Sequence, residues 1–160
     1  MRDMKNIEFN TQICTTKEQS KMLLELGLKK ETADMMYVVM IKDYKGRYIP
    51  EDEKHYDLCL FVQEYFQTVG FCEYDFIPAW SLHRLIAMLP DEIESLSVML
   101  SHISYYHPVF GKNKIAYTDM EGWSHIFNKT DNIYDNIIDC IEWLIQNVYF
   151  NKEYLEEDKV

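Results

Sequence analysis

The residues able to do chemistry in this sequence are five histidines, four cysteines and a large excess of carboxylates. His55 and Cys59 stand four apart and would share one face of a helix, as two metal ligands could. A zinc site wants four ligands, or three and a water, and this pair supplies two. His102 and His107 are five apart, which on a strand sets them on opposite faces. The histidines therefore read as hydrogen-bonded or exposed side chains, and no metal site is expected. Asp135 and Asp139 are neighbours on one helix face and could form a carboxylate pair. Catalytic carboxylates need a cleft and perturbed pKa values, whereas this pair lies opposite an apolar stripe and reads as a solvated face. Cys140 adjoins Asp139 and Glu142, whose charges disfavour a thiolate nucleophile.

Local motifs are absent as well. The glycines at 27, 46, 70, 111 and 122 are too dispersed for a dinucleotide or phosphate loop. No GxSxG elbow and no HExxH occurs. No catalytic, cofactor-binding or metal-binding residue is assigned, and no cofactor is implied. A helix-turn-helix could span Thr16–Leu26, Gly27-Leu28 and a helix from Lys29, with Lys17, Lys21, Lys29 and Lys30 as its basic side. The second helix runs into β-prone residues and lacks the Arg, Asn or Gln cluster that reads bases.

Sixteen Lys and Arg face 27 Asp and Glu across 160 residues, a net charge of −11. Residues 1–50 carry nine basic and seven acidic side chains, residues 51–160 seven and twenty. Such a surface repels phosphate backbones, so nucleic acid is a disfavoured partner. The four cysteines form no CxxC pair, and Met1–Asn10 is charged and without the apolar run of a secretory start. A reducing, cytoplasmic setting with free thiols is expected. No segment approaches the roughly 20 apolar residues of a membrane span.

These side chains need elements to position them. Thr15 and Glu18 have capping-box spacing for a first helix over Thr16–Leu26, which Gly27 stops and Leu28 shields. Met35–Ile41 predicts a strand, with Asp43–Gly46 a turn and Arg47–Ile49 a returning strand. Leu58, Phe61, Val62, Tyr65, Phe66 and Val69 recur at helical spacing and predict a helix over 53–69, with a strand there as the alternative. Ser81 caps a helix over Leu82–Leu89, with Trp80 and Leu85 as its hydrophobic staple. The apolar, aromatic Ser95–Phe110, then Lys114–Thr118 and Trp123–Phe127 around Asp119–Gly122, predict an antiparallel meander. Thr130 or Asp131 caps a last helix whose stripe runs from Ile133 through Ile137, Ile138, Ile141, Leu144 and Ile145 to Val148.

Some segments resemble a known group. Ile13–Ser20 with Leu26-Gly27-Leu28, Ile77–Leu82 with Leu89-Pro90, and Tyr134–Ile138 with Glu142–Ile145 are similar to a group of small uncharacterised proteins of gut anaerobic bacteria, often encoded in prophages or mobile elements. The shared residues are caps, staples and core stripes. The resemblance therefore implies a common fold and carries over no activity.

The sequence thus predicts a single α+β domain over residues 1–155 with a polar tail at 156–160. Its small antiparallel sheet or meander is packed by three to four helices, including a long C-terminal amphipathic helix. The preferred function is a non-enzymatic, acidic protein-binding or regulatory module. Its docking stripe is Asp131, Asp135, Asp139 and Glu142, and its partner a protein with a basic surface. The alternatives are an accessory enzyme whose cleft is assembled from distant residues, and an acidic DNA mimic. The sequence sets no oligomeric state.

Overall fold

The computed structural model describes residues 12–60, 68–69, 72–97 and 102–157. Helix α1 (Lys17–Glu25) opens on a capping box one residue later than the sequence predicts. Thr16 Oγ1 accepts from Gln19 N at 3.2 Å, and Gln19 Oε1 accepts from Thr16 N at 2.9 Å. Thr15 is engaged elsewhere: its hydroxyl accepts from the Trp80 amide at 3.0 Å and meets Ser20 Oγ at 2.7 Å. Gly27, at φ 95°, ends the helix, and Leu28 N–H returns to the Leu23 carbonyl at 3.0 Å. No second helix follows. Lys30–Thr32 is one 3₁₀ turn, so the helix-turn-helix geometry is not formed.

Strand β1 (Met35–Lys42) follows, as its β-branched run predicts. The Asp43–Arg47 turn is tight: Gly46 N–H donates to the Asp43 carbonyl at 2.9 Å, and Asp43 N–H to the Arg47 carbonyl at 3.0 Å. Asp43 Oδ1 accepts from the amides of Lys45 and Arg47. The return is a single bridge between Lys42 and Tyr48, not a strand over Arg47–Ile49.

The helix predicted for 53–69 is not found among the described residues. Glu51–Glu53 is a 3₁₀ turn, and Tyr56–Leu60 is strand β2, antiparallel to β1. Residues 61–67 of that prediction lie outside the described set, and Thr68–Val69 is strand β3. The reason lies in Tyr56, Leu58 and Leu60, which alternate with Asp57 and Cys59 at the strand period. An open edge of β1 then takes the backbone hydrogen bonds, and tertiary pairing overrides the longer helical pattern. Strand β4 (Cys72–Ala79) pairs along the other side of β1. The first sheet runs β2-β1-β4-β3. Pro78, opposite Met36, has no N–H to donate, and among the described residues β3 pairs with Cys72 and Glu73 of β4.

Helix α2 (Leu82–Met88) is capped by Ser81, whose Oγ accepts from Arg84 N at 3.1 Å, and the Trp80–Leu85 staple is fully buried. Strands β5 (Ile93–Ser97), β6 (His102–Phe110), β7 (Ile115–Thr118) and β8 (Ser124–Phe127) then form the predicted meander as a second antiparallel sheet, in the order β5-β6-β7-β8. The protein is therefore a small single α+β domain with two four-stranded sheets, rather than one small sheet, and three α-helices among the described residues.

Helix α3 (Ile133–Gln146) is capped by Asn132, whose side chain accepts from Tyr134 N at 2.8 Å. Thr130 instead prepares the cap by accepting from Asn132 N at 3.1 Å, and Asp131 lies in the turn before the helix. Ile137, Ile138, Ile141 and Leu144 are fully buried in one cluster with Ile115 and Tyr117 of the second sheet, Leu23 of α1 and Leu85 of α2. Val148 does not join this stripe. It sits past the helix end at φ 63°, 71% exposed, in a left-handed conformation that suits glycine. Glu156 N–H donates to the Gly27 carbonyl, which ties the start of the polar tail to the domain.

Two stability outcomes follow. Ile141→Ala should destabilise the fold by about 2–5 kcal/mol, the range for truncating a fully buried aliphatic chain, read as a lowered denaturant midpoint. Val148→Gly should raise stability by about 1 kcal/mol, because a β-branched residue in that conformation costs roughly 1–2 kcal/mol and glycine returns part of the gain as chain entropy. An unchanged midpoint for either variant contradicts its assignment.

Candidate apolar and acidic face of the second sheet

Along β6 the side chains alternate. Tyr106 and Pro108 turn inward toward α3, while Ile103, Tyr105, His107 and Val109 turn outward. Register carries the pattern across the sheet, with Val109 opposite Ala116 and Ala116 opposite Ile126. The inner face is closed by aromatic packing. Trp143 of α3 lies 4.6 Å from His125 and 5.7 Å from Phe127, centroid to centroid. Among the described residues the outer face has no such cover. Ile103, Tyr105, Val109 and Ile126 are 45%, 47%, 52% and 57% exposed. Apolar side chains exposed singly are ordinary; a row shared by neighbouring strands marks an interaction surface.

The same face holds a cleft. β7 begins to pair with β6 only at His107, so β6 outruns it, and the Asp119–Gly122 turn overhangs the vacant stretch. The turn repeats the build of the first hairpin. Gly122 N–H donates to the Asp119 carbonyl, and Asp119 Oδ1 accepts from the amides of Glu121 at 3.0 Å and Trp123 at 2.9 Å. The cleft encloses about 320 Å³ between Glu92, Tyr105, His107, Asp119, Met120 and Glu121. His107 Nδ1 is 3.3 Å from the Asp91 carbonyl, and Nε2 is 3.7 Å from Glu92 Oε2. Three carboxylates around an open, apolar-floored hollow create a negative potential suited to a Lys or Arg side chain. Acid–base catalysis is less well served. One oxygen of Asp119 is committed to its turn, and His107 and Glu92 are each about half exposed to water.

The predicted docking stripe is only partly a stripe. Asp135, Asp139 and Glu142 share one half-buried side of α3, while Asp131 lies before the cap. Each of the three has an intramolecular partner. Asp135 Oδ1 accepts from Gln19 Nε2 at 2.5 Å, Asp139 Oδ2 is 2.8 Å from Lys129 Nζ, and Glu142 Oε1 accepts from Gln146 Nε2 at 3.1 Å. Asp139 and Glu142 nonetheless border β8, because Lys129 follows that strand and Trp143 packs under it.

The remaining reactive residues are dispersed. His55 is exposed beside Asp57 at 3.3 Å and precedes strand β2, which carries Cys59, so the two share no helix face. His83 is exposed on α2. Among the described residues, no group of three His, Cys, Asp or Glu is placed to hold a metal ion. All four cysteines are free thiols. Lys17 lies over the Tyr56 ring at 3.6 Å and Lys29 donates to the Glu153 carbonyl, so these two lysines make no common basic face.

The outer face escaped the sequence reading because Ile103–Phe110 is apolar or aromatic at both parities. Such a segment announces a strand without saying which side is buried. Its one usable signal was the pair of Asp-x-x-Gly turns, which fixes where each hairpin reverses. Comparison with protein families, with curated proteins and with solved structures finds no match to the chain. No helix among the described residues is long and apolar enough to cross a membrane.

The buried thiols make a pH prediction. Burial, then the adjacent Asp139, pushes the Cys140 thiol from its ordinary 9.0 to about 12. Burial also raises the hydroxyls of Tyr117 and Tyr37. A raised folded-state value means the unfolded chain loses its proton first. Stability is therefore full below pH 9 and falls as pH rises from 9 toward 12. Cys140→Ala should flatten that alkaline decline, measured as the denaturant midpoint against pH. An equally steep decline in the variant removes Cys140 as a cause.

Proposed function

We propose that the protein is a non-enzymatic binding module that recognises another protein through the outer face of its second sheet. The observation that carries this reading is the row Tyr105, Val109 and Ile126 left open to water beside the carboxylates of Glu92 and Glu94. An apolar centre with a charged rim is the layout of a protein interface, in which the centre supplies affinity and the rim supplies orientation and speed. The sign of the rim selects a partner with Lys or Arg around an apolar strip. A net charge of −11 adds long-range attraction for such a partner.

The enzyme reading has in its favour the meeting of Glu92, His107 and Asp119 in one cleft. Ser104 lines the same cleft, but His107 and Glu92 stand about half exposed to water and one oxygen of Asp119 is held by its turn. The DNA-mimic reading would use spaced carboxylates and has no need of the apolar row.

The test compares proteins captured from lysate of the source cell by the wild type, by Tyr105→Ala/Ile126→Ala, and by Asp57→Asn, an exposed change on the first sheet. Both changed apolar residues are about half exposed, so circular dichroism should report an intact fold. At low salt the wild type and Asp57→Asn should retain the same basic protein, and the double variant should lose it at least tenfold. Capture that does not depend on the double substitution overturns the reading.

A further inference from the structure

We propose that the partner is bound as an added strand: an extended segment alternating Lys or Arg with apolar residues pairs its backbone with the free edge of β8. This rests on the outer face being a protein-binding surface and specifies how the partner is held.

The edge follows from the hydrogen-bond pattern. Asp119 N–H donates to the Trp123 carbonyl at 3.0 Å, which makes these two a bonded pair. In an antiparallel ladder bonded and non-bonded pairs alternate. His125 and Phe127, opposite Tyr117 and Ile115, therefore turn their backbone groups toward β7. Ser124 and Ile126 turn theirs outward, and both residues are exposed.

Natural sheets protect such edges with charges, proline, bulges or short strands. Two other edge strands carry such protection: β2 carries Asp57 and β5 carries Glu94. β8 reads Ser124-His125-Ile126-Phe127, with no charge that is fixed at neutral pH and no proline. It is a template for strand addition, where main-chain bonds give affinity and alternate side chains give specificity.

The two sides of the edge differ, and that difference identifies the occupant. On the outer side an added strand would extend the row Val109, Ala116, Ile126 with an apolar side chain. On the inner side its next side chain would meet Asp139 and Glu142, which border β8 through Lys129 and Trp143. Alternating apolar and cationic residues satisfy both. A second copy of this chain would instead bring Asp139 and Glu142 toward their own equivalents.

The probe is an acetylated, amidated heptapeptide alternating Lys and Val, with three controls: the same peptide N-methylated at its odd or at its even backbone nitrogens, and a Glu/Val version. Titration at low salt is followed by amide hydrogen exchange and by calorimetry. The Lys/Val peptide should slow exchange at Ser124 and Ile126 at least tenfold. The N-methylated peptide whose methyl groups face β8 should bind at least tenfold more weakly, and the Glu/Val peptide should not bind. Ser124→Pro removes an outward donor without removing a β7 bond, so it should weaken the Lys/Val peptide about tenfold with an unchanged circular dichroism spectrum. Equal affinity of both N-methylated registers, or unchanged exchange at Ser124 and Ile126, overturns strand addition. So does a dimer in sedimentation whose β8 amides are protected without peptide. If the Tyr105→Ala/Ile126→Ala variant loses the captured partner while Ser124→Pro keeps it, the surface reading survives and the added strand fails. If neither variant loses it, both fail.

Discussion

One helix layer covers the second sheet, and it covers one side only. The stripe Ile137, Ile138, Ile141 and Leu144 seals the inner surface with Ile115 and Tyr117, and no residue of that stripe remains to face anything else. A four-stranded antiparallel sheet with a single layer must leave its other face to solvent or to another molecule. In a protein with no need of that face, the strands would read apolar-in and polar-out. Here Ile103, Tyr105, Val109 and Ile126 stand on the solvent side instead. The asymmetry of cover, more than any single residue, sets what the molecule can do.

The cover itself is held by buried polar nodes. Trp80 is fully enclosed, and it receives the Thr15 amide at its carbonyl, donates its own amide to Thr15 Oγ1, and donates its indole N–H to Thr32 Oγ1 at 3.0 Å. The end of β4, the segment leading into α1 and the turn before β1 are thereby fixed at one point. Asn136 does the same for α3. Its Nδ2 donates to the carbonyls of Asn113 and Thr130, and its Oδ1 accepts from Thr130 N. Among the described residues no buried side-chain nitrogen or oxygen lacks a partner. Satisfied networks of this kind select one packing among many, because any alternative leaves a polar group bare at a cost of about 1–3 kcal/mol.

What could be read in advance sorts by the range of the forces involved. The α3 stripe, β1, the meander and the Ser81 cap are local patterns and are legible as such. The first-helix cap is misplaced by one residue because Thr15 and Thr16 are chemically alike, and only Trp80, 65 positions away, decides which of them is free to cap. β2 is misread for a similar reason. Its helical spacing is genuine, but β1 offers an unsatisfied edge, and backbone bonds across strands outweigh a pattern of side chains. β4 carries Pro78 and announces no strand, since its pairing with β1 joins segments about 40 positions apart that no local pattern links. The acidic residues of α3 are readable as a group. Their engagement by Gln19 and Lys129 is not, because those partners come from α1 and from the loop after β8, whereas Gln146 meets Glu142 at i+4 on α3 itself.

Charge and exposed apolar surface have opposite consequences for association, and here they occur together. An open face with an unprotected edge promotes pairing between identical copies. The net charge of −11 opposes it, since every such encounter brings like charges together at a separation where screening is incomplete. Only a partner of opposite sign meets the apolar row without that penalty and gains from the field as well. The acidity first attributable to solubility therefore also acts as a filter. On the proposed reading it leaves the surface available to a basic partner while discouraging pairing between copies of the chain.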